Sequence, residues 1–184
     1  MDYTASYNSP LGGITMASDG KALFGLWFDG QKYFADTLNN EHEERPDLPI
    51  FDETRRWLDL YFSGKVPDFT PPLLMRASPF RQNVWQRLLE IPFGHTTTYS
   101  DIARSVGCKS AQAVGGAIGH NSISLIIPCH RVVGSKGLLT GYAGGLDKKA
   151  SLLKLETGIN FSGELFLDDK PRVSTSRNTN LQAD

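Results

Sequence analysis

Cys129 stands between the apolar run Leu125-Ile126-Ile127-Pro128 and the basic pair His130-Arg131, where a buried strand would emerge beside two potential cations. Cationic neighbours favour the thiolate, the nucleophilic form of cysteine, so the chemistry on offer is attack by sulfur. A cysteine in an apolar run also packs as an inert residue, and the Cys-His pair by itself leaves both readings open. Cys108 is the only other cysteine. Two are too few for a disulfide framework or a four-cysteine zinc site, and reduced thiols suit the cytosol.

A chain of 184 residues with 40% hydrophobic content can bury a sizeable core, as one domain or two small ones. The N-terminus lacks the basic stretch, apolar run and small-residue cleavage site of a leader, and no apolar segment approaches membrane-spanning length. A cytoplasmic protein is therefore expected, with no membrane partner. The net charge of −1 hides an asymmetry: residues 1–75 carry 6 Lys/Arg against 12 Asp/Glu, and residues 76–160 carry 10 against 4. The second segment is the one suited to a polyanion.

The elements that must position Cys129 read as an α+β fold. Tyr3 to Tyr7, Ile14 to Ser18 and Ala22 to Phe28 alternate as strands of a small antiparallel sheet, with Asp19-Gly20 marking a hairpin. A helix containing Phe51, Trp57, Leu58, Leu60, Tyr61 and Phe62 should stop near Gly64, and Pro67, Pro71 and Pro72 mark a boundary. Residues 1–76 and 77–160 are thus expected to be two domains, and 161–184 a polar, mobile tail.

The second segment should be mostly helical. Ser78-Pro79 caps a helix with Phe80, Val84, Trp85, Leu88 and Ile91 on its apolar face, and Pro92 ends it. Thr98, with Asp101 three residues on, opens a second helix that finishes at Gly107, and Ser110 opens a third that runs to about His120. Two short helices so joined suggest a helix-turn-helix. Ala111, Ala113, Gly115, Gly116, Ala117 and Gly119 leave the third almost without side chains, at a cost of about 1 kcal/mol per glycine relative to alanine. Close packing in the core or a slim helix entering a narrow groove of DNA would each offset that cost. A buried strand at Leu125 to Ile127, a glycine-rich loop to Gly145 and a helix from about Leu146 to Thr157 complete the expectation.

The strings FRQNVWQRLLEIPFGHTTTYSDIA, AVGGAIGHN, IIPCHRVVGSKG and GYAGGLDKKASLLKLE resemble, in order and spacing, the O6-alkylguanine-DNA alkyltransferases, or methylated-DNA-protein-cysteine methyltransferases. The resemblance covers about residues 78–158. It implies a ribonuclease-H-like N-terminal domain and a C-terminal domain whose helix-turn-helix binds double-stranded DNA through the minor groove. The implied reaction is single-turnover repair: an alkyl group passes from O6-alkylguanine, with O4-alkylthymine as a second candidate substrate, to Cys129, by a monomer without cofactor or metal. Zinc ligands found near the N-terminus of some relatives are not implied, since residues 1–75 contain no cysteine.

Residue by residue, the resemblance makes Cys129 the acceptor and His130 its proton relay through water. Glu156 supports that histidine, and Asn121 joins the recognition helix to the active-site segment. Tyr99 would lie near the guanine and its 3′ phosphate. Ile118, Val132, Val133, Tyr142 and Ala143 would line the pocket for the extruded base. The DNA surface would comprise Tyr99, Ala111, Gln112, Ala113, Gly115, Gly116 and Arg131. Gln112 departs from the family, which usually places an arginine there to enter the base stack; glutamine lacks the fixed charge and planar fork. Rival functions are a non-repairing lesion binder, a transcription regulator using the helix-turn-helix alone, and a Cys/His hydrolase. Retention of Cys129 argues against the first. The side-chain-poor helix suits major-groove readout badly, and the third requires turnover of an acyl substrate.

Overall fold

The computed structural model describes residues 1–161, so the expected tail from 162 onward lies outside the described residues. Strands β1 (Asp2–Ser9), β2 (Gly12–Ser18) and β3 (Leu23–Phe28) form the expected meander. A short fourth strand, β4 (His42–Glu44), adds to β1 in parallel, so the sheet is mixed, in order β3-β2-β1-β4. Helix α1 (Pro49–Phe62) starts at its proline and buries Ile50, Phe51, Thr54, Trp57, Leu58 and Tyr61.

The free edge of β3 is closed by the rest of the chain. Leu23 pairs with the proline-rich connection through Pro72 and Leu74, and Leu26 pairs with the segment after the third helix through Ser122 and Ser124. Every residue of β3 is buried, as expected for a strand whose edge and both faces are covered. Arg76 fastens the junction with a bidentate pair to buried Asp2, both contacts 2.8 Å, its guanidinium 3.5 Å above the Phe24 ring. One apolar cluster then runs from Ile14 and Leu26 through Trp57 and Tyr61 to Trp85, Ile102, Val114 and Ile127.

Local hydrogen bonds define the helices of the second segment. In α2 (Pro79–Leu89) Ser78 caps the chain from Arg81 N, and in α3 (Tyr99–Ser105) Thr98 accepts from Asp101 N. In α4 (Ala111–Gly119) Ser110 accepts from Ala113 N. Each cap satisfies a backbone donor that the first turn would otherwise leave open. Gly107, with φ +65°, makes the left-handed turn between α3 and α4. Trp85 Nε1 on α2 donates to Ala117 O at 2.8 Å and holds α4 against the core. Strands β5 (Thr97–Thr98) and β6 (Val132–Val133) pair in parallel, and α5 (Leu146–Thr157) closes the domain with Leu152 and Leu153 buried. Phe161, which the sequence reading assigned to the tail, packs on the Val133, Leu139 and Leu153 cluster.

The expected strand at Leu125 to Ile127 is not formed. Ser124–Ile126 make a buried turn in which Leu125 adopts φ +70°, and Cys129–Arg131 are a single 3₁₀ turn. Local hydrogen bonds, Ile126 N to Ser124 O and Cys129 N to Ile127 O, replace the ladder that an apolar run suggested.

Candidate active site

Cys129 lies at the end of that buried turn, 5% exposed, and reaches a cavity of about 350 Å³ between the two halves of the chain. Such a volume lies within the range of small-molecule sites, about 300–1,000 Å³. Tyr99 and Ile118 share the cavity with Gly115 and Gly116 of α4, and Tyr142 and Ala143 border it from the loop before α5. The structure thus brings seven of the sequence-predicted residues to one cavity. It also adds Lys32 and Tyr33 of the β3–β4 connection, with His120 after α4. Tyr33 stacks on His120 with ring centroids 3.8 Å apart, and Lys32 N donates to Ala143 O. These are contacts between distant parts of the chain that no local spacing announces.

Asn121 ties the two walls together. Its Nδ2 donates to Ile127 O at 2.8 Å and its Oδ1 accepts from Ile123 N at 3.1 Å. That fixes the turn leading into Cys129 directly behind α4. The neighbouring Ser122–Ser124 segment is itself pinned to β3, so the N-terminal sheet is the foundation on which the thiol rests.

The two residues after Cys129 belong to a buried charge network. Glu156 Oε2 accepts from His130 Nε2; its Oε1 accepts from Arg131 Nε at 2.7 Å and from Gly94 N at 3.1 Å. Gly94 has φ +78°, and a Cβ there would stand 3.3 Å from Glu156 O, so a glycine fits this approach. Burial alone would raise the Glu156 carboxyl, but the hydrogen bonds and charges of His130 and Arg131 outweigh it and hold it at about 2. His130 is pushed the other way: desolvation lowers its pKa despite Glu156, so the ring is neutral at rest. With Nε2 given to the carboxylate, Nδ1 is buried and has no hydrogen-bond partner among the described residues.

The thiol itself departs from the sequence expectation. Burial pushes Cys129 above its ordinary value, and hydrogen bonding from Asn121 and the charge of Lys149 offset this only in part. The cations beside it do not make a standing thiolate: His130 is neutral, and the charge of Arg131 is turned to Glu156. A thiol without a standing charge needs a base to take its proton when it reacts as a nucleophile.

Arg131, expected on the DNA surface, is corrected by its placement. Its side chain is 9% exposed, with Nε on Glu156 and Nη1 on Ile91 O at 2.7 Å, so it holds the carboxylate. Val132 and Val133 are corrected too: both are buried in β6, Val133 against Leu139 and Leu153, and neither lines the cavity. Ala111, Gln112 and Ala113 are exposed on the first turn of α4. A Cβ built on Gly115, Gly116 or Gly119 meets nothing within 4 Å, so close packing in the core does not account for these glycines. Lys149, missed in the sequence, is completely buried and gives Nζ to Thr140 O and Gly141 O, each at 3.0 Å. Tyr99 donates to the same Thr140 O at 2.8 Å, so the loop over the cavity is fastened from below at two successive carbonyls.

A thiol at the floor of a cavity, a carboxylate-supported imidazole behind it and a helix-turn-helix at its rim define a protein that takes a group onto cysteine from a ligand brought by nucleic acid. Residues 3–75 match the ribonuclease-like domain of the 6-O-methylguanine DNA methyltransferases, and residues 79–158 match the DNA-binding domain of the same proteins. The methylated-DNA-protein-cysteine methyltransferase of Mycobacterium tuberculosis is 40% identical over 157 residues, covering 85% of this chain and 93% of the relative. That of Methanosarcina barkeri is 46% identical over 153 residues, covering 80% and 92%. The crystal structure of M. tuberculosis OGT in complex with DNA superposes with a TM-score of 0.77 at 39% identity, covering 85% of this chain and 93% of that one. The chain belongs to the 6-O-methylguanine DNA methyltransferase family.

Proposed function

We propose that the chain repairs O6-alkylguanine in double-stranded DNA by moving the alkyl group irreversibly to Cys129. The observation that carries this assignment is the thiol of Cys129 on the cavity, followed directly in the chain by His130, whose ring Glu156 holds. The damaged base rotates out of the duplex into the cavity, and the sulfur attacks the alkyl carbon opposite O6. The carbon–oxygen bond breaks as the sulfur–carbon bond forms. The thiol proton passes through a bridging water to His130 Nδ1, and Glu156 stabilises the resulting imidazolium. The guanine leaves with the bonding electron pair, its negative charge stabilised by a hydrogen bond from the Tyr99 hydroxyl, and takes its proton from solvent. The product thioether offers water no leaving group, so each chain acts once, and one acceptor per chain makes a monomer sufficient.

The helix-turn-helix meets DNA in the minor groove. The open glycine face of α4 supports this, because its backbone can approach the floor of a narrow groove. Gln112 at its exposed start fills the space left by the extruded base. Among the described residues no helix is long and apolar enough to cross a membrane, and the protein works in the cytoplasm. Incubation with an O6-methylguanine duplex should leave one methyl group per chain and unmodified guanine in the DNA. Repeated turnover by a catalytic amount of protein would contradict the assignment.

A further inference from the structure

Glu156 has one more partner, and it comes from the N-terminal half. Tyr61, on the last turn of α1, donates its hydroxyl to Glu156 Oε2 at 2.6 Å, the oxygen that also receives His130 Nε2. The hydroxyl is 3.4 Å from that same nitrogen, and the ring meets the imidazole edge-on with centroids 6.3 Å apart. Trp57, stacked at 5.3 Å, and Phe62 and Phe93, edge-on, hold the phenol in place. Burial and the neighbouring carboxylate push its pKa far above the ordinary tyrosine value, so it is a permanent donor. A residue needed only to fill this apolar corner would carry no hydroxyl, whose burial costs free energy unless it is paired.

We propose that Tyr61 is a positioning residue for alkyl transfer: its hydroxyl shares the charge of Glu156 Oε2 with His130 and so sets how readily His130 accepts the thiol proton. This rests on Cys129 as acceptor and His130 as its base. A carboxylate oxygen that receives two donors is less basic than one that receives one. Without the phenol, more of that charge bears on the imidazole, and His130 keeps a proton to higher pH. Only the neutral ring can take the proton from sulfur, so the acid limb of the reaction moves upward. The other charged or titratable groups facing the pair are Arg131 in the adjoining turn, Lys149 on α5 and Tyr142 in the loop above, and the change at Tyr61 leaves them all in place. The N-terminal domain thereby becomes part of the proton relay rather than only its support.

The test is single-turnover transfer from an O6-methylguanine oligonucleotide, followed across the acid-to-neutral range with the full chain. Three proteins are compared: wild type, Tyr61→Phe, and a chain with 3-fluorotyrosine installed at position 61 alone, whose phenol is the stronger donor. Tyr61→Phe should move the acid limb up by about half a pH unit, a roughly threefold slowing on that limb. The fluorinated chain should move it down. An acid limb unmoved in both variants, with wild type active, would overturn the proposal. If Tyr61→Phe does not fold, the fluorinated chain decides alone, since its shape is nearly that of tyrosine. A wild type that leaves Cys129 unmodified would instead sink the acceptor assignment on which the proposal rests.

Discussion

Replacing Glu156 with glutamine removes a buried charge and keeps its shape, so its cost can be worked from the structure. The carboxyl is held at about 2 against an ordinary value of 4.5, a difference of about 2.5 pH units. At about 1.36 kcal/mol per unit this sets an upper bound of roughly 3 kcal/mol on the folding stability at neutral pH, since the part due to the His130 charge is absent where that ring is neutral. The side chain is fully shielded, so solvent screening takes little from that figure. The sign follows from the direction of the shift. The folded state binds the proton less tightly than the unfolded one, so the contribution is complete above 4.5 and is lost as pH falls toward 2. Glu156→Gln also leaves the buried Arg131 guanidinium without its counter-charge, which acts in the same direction. Urea unfolding followed by the fluorescence of buried Trp27, Trp57 and Trp85 measures the difference. The variant should be less stable by about 2 kcal/mol at neutral pH, and the gap should shrink as the buffer is acidified. A gap below about 1 kcal/mol, or one that does not change with pH, would refute the electrostatic reasoning.

Three other perturbations separate the parts of the site. Asn121→Ala leaves Ile127 O and Ile123 N without their partner and should cost about 2 kcal/mol in thermal unfolding; transfer should also slow, because the turn carrying Cys129 loses its anchor. Gly116→Ala adds a methyl where nothing lies within 4 Å; calorimetry should find it more stable by up to about 1 kcal/mol, while titration finds weaker DNA binding. Gln112→Arg should tighten DNA binding and steepen its salt dependence, because it adds a cation at the exposed start of α4; unchanged affinity would remove that residue from the interface.

What the sequence made legible was local. Ser78, Thr98 and Ser110 each announce a helix because the capping oxygen and the donor it serves lie three residues apart. β4 escaped because His42–Glu44 is short, polar and exposed, with no alternation to betray it. Leu125–Ile127 misled because an apolar run signals burial, and burial was taken for a strand; the left-handed backbone at Leu125 and the grip of Asn121 decide otherwise. In the site, the motif identified Cys129, His130, Glu156 and Asn121 by type and order. It could not tell that Arg131 points inward to Glu156, nor that Tyr61, 95 residues from Glu156, completes the carboxylate. Lys149 reads as an ordinary helix-surface residue until the loop carbonyls above it are placed.

Mass mapping of the acceptor bears most directly on the whole account. Wild type and Cys129→Ala are each incubated with an excess of O6-methylguanine duplex, then weighed intact and digested. Wild type should gain a single methyl group located on Cys129, with no further gain on longer incubation, and the variant should gain none while still binding the duplex. A methyl group on Cys108, or transfer that persists in Cys129→Ala, would contradict it.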